Sequence, residues 1–280
     1  MDPWPRWTVG TSGYSFDDWV GTFYPAGTQK KDMLERYVEH FNAVEVNFTY
    51  YRMPTLRTME SMARRTPEGF VFWVKAPGQI THEAWRDGKG RVVTSVKANQ
   101  ETTHKFNRGV AGEFIENIAP LTEAGKLAGV LLQFPQSFHR TVANRTYLAG
   151  ALADFAPLPL AVEFRHGSWA HPAAAEGLRQ RHITLVVPDV PDIRDLYHSP
   201  AAATTSTGYL RLHSRAAGKW YAGAAERYDY DYSETELRKI IRQWSELDEP
   251  LGQIFAFFNN CHHGQAAQNA EAFRRLLEEM

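Results

Sequence analysis

A single cysteine, Cys261, leaves the chain without a partner for an internal disulfide, so its stability has to come from a packed core. Long hydrophobic runs are missing too, and nothing approaches the roughly eighteen apolar residues that a membrane helix requires. The opening MDPWPRW lacks the apolar centre of a secretion signal. These absences give the expectation of a soluble, cytoplasmic protein with no membrane partner. Charge of one sign is not in excess, because 31 Lys and Arg stand against 32 acidic residues for a net charge of -1. That balance makes nucleic acid an unfavoured partner, since polyanion binders are basic. No Gly/Ser-rich linker, break in composition or internal repeat divides the chain. A single domain over residues 1–280 is expected, with 1–6 as a short N-terminal extension. The stretch GTSGYS, with Gly10 and Gly13, carries neither the dinucleotide fingerprint nor the GK[ST] of a P-loop, which removes NAD and ATP by those routes.

What is present is alternation. Apolar strand-like runs begin at Trp7, Ala43, Phe70, Leu127, Leu158, Ile183, Gly208 and Gln253. Between them lie amphipathic stretches at helical spacing, such as KKDMLERYVEHF, LRTMESMARR and NRTYLAGALADF. The crossover around Ile193 to Ser199 is the weakest and has room for only a short helix. Ser233 followed by Glu236 has the form of a capping box, which starts the helix before the last strand. Repeated strand–helix units with continuously apolar strands favour an α/β fold, a single (β/α)8 TIM-type barrel, over an open doubly wound sheet.

Polar residues close nearly every strand. The fifth reads AVEFR, and because a strand alternates faces, Glu163 and Arg165 point the same way. The other strand ends carry Glu45 and Asn47, Lys75, Gln133, Asp189, Arg211 and His213, and Asn259. In a barrel the carboxyl ends of the strands carry function. If Glu45, Glu163 and Asp189 balance Lys75, Arg165 and Arg211, this rim is a self-neutralising ring. It is then either a structural plug of ion pairs or a polar pocket for a ligand.

The stretches GTSGYSFDDWVGTFYP, FNAVEVNFTYYRMP, FVFWVKAP, LLQFPQSF, AVEFRHGSW, YLRLHSR and FAFFNN occur in that order from Thr8 to Asn260. Through them the chain resembles the YecE-like family, domain of unknown function 72. The resemblance implies a TIM-type barrel and places the family's recurrent stretches on the strand ends above. It leaves the reaction open.

The functional expectation is an enzyme using acid-base chemistry on a small anion bearing phosphate or carboxylate. Glu45 and Glu163 are the candidate catalytic groups, and Tyr14, Asn47, Lys75, Gln133, Arg165, Arg211, His213 and Asn259 the candidate substrate-binding groups. No cofactor is expected. The alternative is a divalent metal held by Glu45, Glu163, Asp189 and His213, as in a metal-dependent phosphodiesterase that grips nucleic acid with Lys89, Arg91, Lys97 and Lys105. A third reading is a non-catalytic ligand-binding protein. Weaker signals are Ser168 beside His166 without a nucleophile elbow, the run Cys261, His262 and His263, the loop cations Arg215 and Lys219 with Gly218 and Gly264, and a stripe of Tyr221, Tyr228, Tyr230 and Tyr232. For an open pocket, Glu163→Gln is expected to leave the melting midpoint little changed.

Overall fold

The computed structural model describes residues 6–82, 108–248 and 251–279. Its strands are β1 (Arg6–Thr11), β2 (Ala43–Val46), β3 (Val71–Lys75), β4 (Leu127–Gln133), β5 (Leu160–Glu163), β6 (Thr184–Asp189), β7 (Thr207–Leu212) and β8 (Gln253–Phe258). All pair in parallel in sequence order, and β1 closes on β8 from Arg6 opposite Gln253 to Thr11 opposite Phe258. The eight-stranded (β/α)8 barrel is therefore complete. Arg6 opens β1, so this residue of the expected extension belongs to the barrel, while 1–5 lie outside the described residues.

Around the barrel run α1 (Met33–Tyr37), α2 (Leu56–Arg64), the single turn α3 (Gly78–Thr81), α4 (Arg108–Glu123), α5 (Val142–Asp154), α6 (Pro172–Arg179), the single turn α7 (Ala224–Arg227), α8 (Glu234–Ser245) and α9 (Gln265–Glu278). The capping box forms at α8: Ser233 Oγ accepts from the Glu236 amide, and the Glu236 carboxylate accepts from the Ser233 amide. Between β6 and β7 no helix forms, so even a short one was too much to expect there. The chain satisfies that stretch with turns and with local bonds such as the Thr204 hydroxyl to the Ile183 carbonyl at 2.6 Å.

Two apolar regions result. The larger lies between strands and helices; the smaller fills the barrel with Ala43, Trp73, Leu131, Ala161, Val186, Tyr209, Phe255 and Phe257. Small residues on β2 and β5 make space for the rings of Trp73 and Tyr209, which sit 4.8 Å apart. This layer fixes parity. On β2, β3, β4, β5, β7 and β8 the inward residues have odd numbers, so Glu45, Lys75, Gln133, Glu163 and Arg211 continue the interior column above the apolar plug. On β6 the inward residue is Val186, and Asp189 falls on the other face.

Candidate active site at the carboxyl end of the barrel

Directly above the apolar layer, Arg211 is 1% exposed and lies between two carboxylates that are wholly buried. It donates through Nη2 to Glu45 Oε1 at 2.6 Å and through Nη1 to Glu163 Oε2. Tyr209 donates its hydroxyl to the other Glu45 oxygen at 2.5 Å. Glu163 also pairs with Arg165 Nε. Burial pushes the Glu163 carboxyl up, but Arg165 and then Arg211 outweigh it and hold the group well below the usual carboxylate range. Burial likewise pushes Arg211 down, and the two glutamates more than reverse that, so the guanidinium is firmly charged. His213 is buried beside them. The Asn259 amide nitrogen lies 2.8 Å from His213 Nδ1, and His213 Nε2 lies 3.1 Å from Arg165 Nη2 and 3.3 Å from Glu163 Oε1. Burial first, and the Arg165 charge second, depress the imidazole well below its ordinary value and keep it neutral.

Lys75 is the next group outward. Its ammonium nitrogen lies 2.8 Å from Gln133 Oε1 and 4.2 Å from the centre of the Tyr50 ring. Burial, reinforced by Arg211, lowers it to about 7, against the smaller opposing pull of Glu163 and Glu45. Above these residues opens a cavity of about 350 Å³, whose wall includes Ser12, Asn47, Lys75, Gln133, Arg165 and Arg211. A second cavity of about 300 Å³ shares Tyr51, Lys75, Gln133, Arg165 and Tyr228 with it and extends toward His82 and Trp220. Lys75 and Arg165 thus stand where the two spaces meet. The first space has aromatic sides in Tyr14, Phe16, Phe48 and Tyr51. The arrangement can hold a small anion against two cations and flank it with ring faces and amides.

The family model described as "Protein of unknown function DUF72" matches residues 8–280. The chain belongs to the DUF72 family. Among similar proteins, the UPF0759 protein YunF of Bacillus subtilis (strain 168) is 28% identical over 283 residues, covering 96% of this chain and 94% of that one. The UPF0759 protein YecE of Escherichia coli (strain K12) is 28% identical over 163 residues, or 56% of this chain and 52% of YecE. A crystal structure of a DUF72 family protein (TM1631) from Thermotoga maritima superposes with a TM-score of 0.84 at 39% identity, covering 98% of this chain and 99% of the other. The DUF72 protein EF0366 from Enterococcus faecalis gives a TM-score of 0.79 at 25% identity, covering 98% and 96%.

Within this DUF72 barrel the residues singled out from sequence divide into layers. Tyr14, Asn47, Lys75, Gln133, Arg165, Arg211 and Asn259 line the first cavity. Glu45, Glu163 and His213 do not; they lie behind that wall with no exposed surface. The two carboxylates expected to do acid-base work are instead occupied by arginines. Asp189 departs altogether, as its parity on β6 requires: it accepts from Arg215 Nε at 2.8 Å and Nη2 at 2.6 Å, and from the Tyr232 hydroxyl at 2.8 Å. The set Glu45, Glu163, Asp189 and His213 therefore does not assemble round one point, and among the described residues no group of three His, Cys, Asp or Glu side chains is placed to hold a metal.

The DUF72 loops are likewise committed elsewhere. Arg215 serves Asp189, and Lys219 donates to Asp229 at 2.8 Å, so neither loop cation turned to the barrel for phosphate is free of a carboxylate. Ser168 Oγ bonds His166 Nδ1 at 2.8 Å on an exposed loop outside both cavities. Cys261 reaches the cavity wall, where burial pushes its thiol up and away from the thiolate. Of the tyrosine stripe, Tyr228 lines both cavities and Tyr221 the second, whereas Tyr232 is buried on Asp189. Lys89, Arg91, Lys97 and Lys105 lie outside the described residues. Ser12, Tyr50, Tyr51, Trp220 and Arg227 were missed. Ser12 was within reach, because β1 pairs Gly10 with Phe257 and the same parity continues to Ser12 and Asn259. The others depend on how loops fold back over the barrel.

Proposed function

We propose that this protein is an enzyme whose barrel mouth binds a small anion bearing carboxylate or phosphate and acts on it by proton transfer. The observation that carries this reading is charge. With Asp189 neutralised by Arg215, the layer holds Glu45 and Glu163 against Arg211, Arg165 and Lys75. When Lys75 is protonated, one positive charge is left over, and the cations on the wall are the ones nearest solvent. A buried net charge is costly unless compensated, and an incoming anion compensates it. Lys75, brought to about 7, is the group suited to take or give a proton near neutrality. Glu45 and Glu163 act as positioning residues that aim and charge the arginines, with His213 and Asn259 fixing the back of Arg165.

The test is calorimetry with small carboxylates and phosphates across pH. The protonated amine attracts the anion, so affinity is greatest below about pH 7 and declines as pH rises through it. Arg165→Gln is expected to weaken binding about tenfold, the equivalent of about 1.4 kcal/mol. Binding that ignores both pH and Arg165 would remove the reading.

A further inference from the structure

Lys75 differs from an ordinary anion-binding lysine in where it stands. It is at the end of a barrel strand, held on one side by Gln133 Oε1 at 2.8 Å and on another by the Tyr50 ring at 4.2 Å, and it faces both cavities. No carboxylate is paired with it among the described ion pairs, because Glu45 and Glu163 are taken by Arg211 and Arg165. The same wall carries two polar atoms without a hydrogen-bond partner among the described residues, Ser12 Oγ and Asn47 Oδ1. Ser12 is 2% exposed, so its hydroxyl is buried in the wall it lines. A carboxylate offers only oxygen acceptors, which answer a cation and the Ser12 hydroxyl but not the Asn47 carbonyl oxygen. That oxygen calls for a donor on the ligand, which a hydroxyl supplies.

We propose that Lys75 is the nucleophile of an imine-forming reaction on a hydroxylated 2-oxo acid. This rests on the anion-site reading above and deepens it. The carboxylate lies against Arg165, the adjacent carbonyl carbon meets Lys75 Nζ, and a substrate hydroxyl serves Asn47 and Ser12. The neutral amine adds to the carbonyl carbon; the C–O bond then breaks as C=N forms, and the carbonyl oxygen leaves as water with both amine hydrogens. The imine takes one proton from solvent at the open mouth. The resulting iminium keeps the single positive charge of the ammonium, so it still matches the substrate carboxylate and still faces the Tyr50 ring, which favours a cation. Depression of the lysine to about 7 supplies neutral amine at physiological pH, where an exposed lysine would have almost none.

The experiment uses the full chain with hydroxypyruvate as probe, sodium borohydride to reduce the imine, and peptide mass spectrometry. D-glycerate, which keeps the carboxylate and the terminal hydroxyl and has a second hydroxyl in place of the ketone, is the binding control. The expected result is one reduced adduct on the peptide containing Lys75, formed at least tenfold faster than on other lysines, protected by glycerate, and rising in rate through about pH 7 before levelling. Lys75→Arg keeps the charge and should bind glycerate while giving no adduct there; Lys75→Met serves as a second variant if arginine does not fold. Glycerate binding without trapping on Lys75 overturns the imine and leaves the anion site standing. Failure of both glycerate and hydroxypyruvate to bind overturns the two together. Adducts spread evenly over surface lysines also overturn the imine.

Discussion

Glu163 shows how much depends on the layer in which a single side chain lies. From its place in AVEFR it reads as a carboxylate at the mouth of a pocket, and rehydration of Arg165 would then make its neutralisation harmless. In the fold it is wholly buried and bonded to both Arg165 and Arg211, with His213 Nε2 at 3.3 Å. Glu163→Gln would leave Arg211 on Glu45 alone and strip Arg165 of its carboxylate, so the expected outcome reverses. Removing one partner of a buried pair costs about 3 to 5 kcal/mol, and a clear fall of the calorimetric midpoint is expected. Because the folded-state pKa is depressed, the contribution of Glu163 is present above the ordinary glutamate range and is lost as pH falls. The deficit of the variant should accordingly shrink on acidification. An unchanged midpoint at neutral pH would mean that water reaches the arginines. The sequence made Glu163 and Arg165 visible as a pair on one face; it could not show that one is beneath the wall and the other in it.

At the level of strands, the site is held from below. Gly129 on β4 lies against Trp73, and a Cβ there would also come 2.7 Å from the Pro159 carbonyl oxygen. Trp73 packs on Tyr209 at 4.8 Å, and Tyr209 in turn donates to Glu45. Gly129→Ala is therefore expected to push the Trp73 ring toward Tyr209, at about 1 to 3 kcal/mol of stability, as overpacking does. It should also weaken anion binding by loosening Glu45 and hence Arg211. Chemical denaturation together with calorimetric titration would check this, and loss of stability with intact binding would uncouple the plug from the site. Strand positions were plain in the sequence because period-two polarity interrupts apolar runs only at strand ends. The connection between β6 and β7 was not, since turns closed by hydroxyl-to-carbonyl bonds leave no periodic mark.

For the molecule as a whole, a net charge of -1, with 31 cationic against 32 acidic residues, argues against a polyanion surface. Duplex DNA is expected to bind no better than heparin at physiological salt in fluorescence anisotropy, with a shallow salt dependence. Sequence- or lesion-specific binding would contradict this. Among the described residues no helix is long and apolar enough to cross a membrane. By itself the sequence determined the barrel, because eight apolar runs alternating with amphipathic ones have few other ways to bury their surfaces. It also determined most of the residues at the mouth, because side-chain direction in a strand follows from counting by two. What only the tertiary structure decided was phase and depth. Whether a given strand enters the barrel on odd or even residues depends on its register with its neighbours, which is why Asp189 turned outward and left a charge uncompensated. Depth depends on which side chains fill the layer below, and packing of Trp73, Tyr209 and Phe257 raised Arg211 and Lys75 to the cavity while Glu45 and Glu163 stayed beneath it.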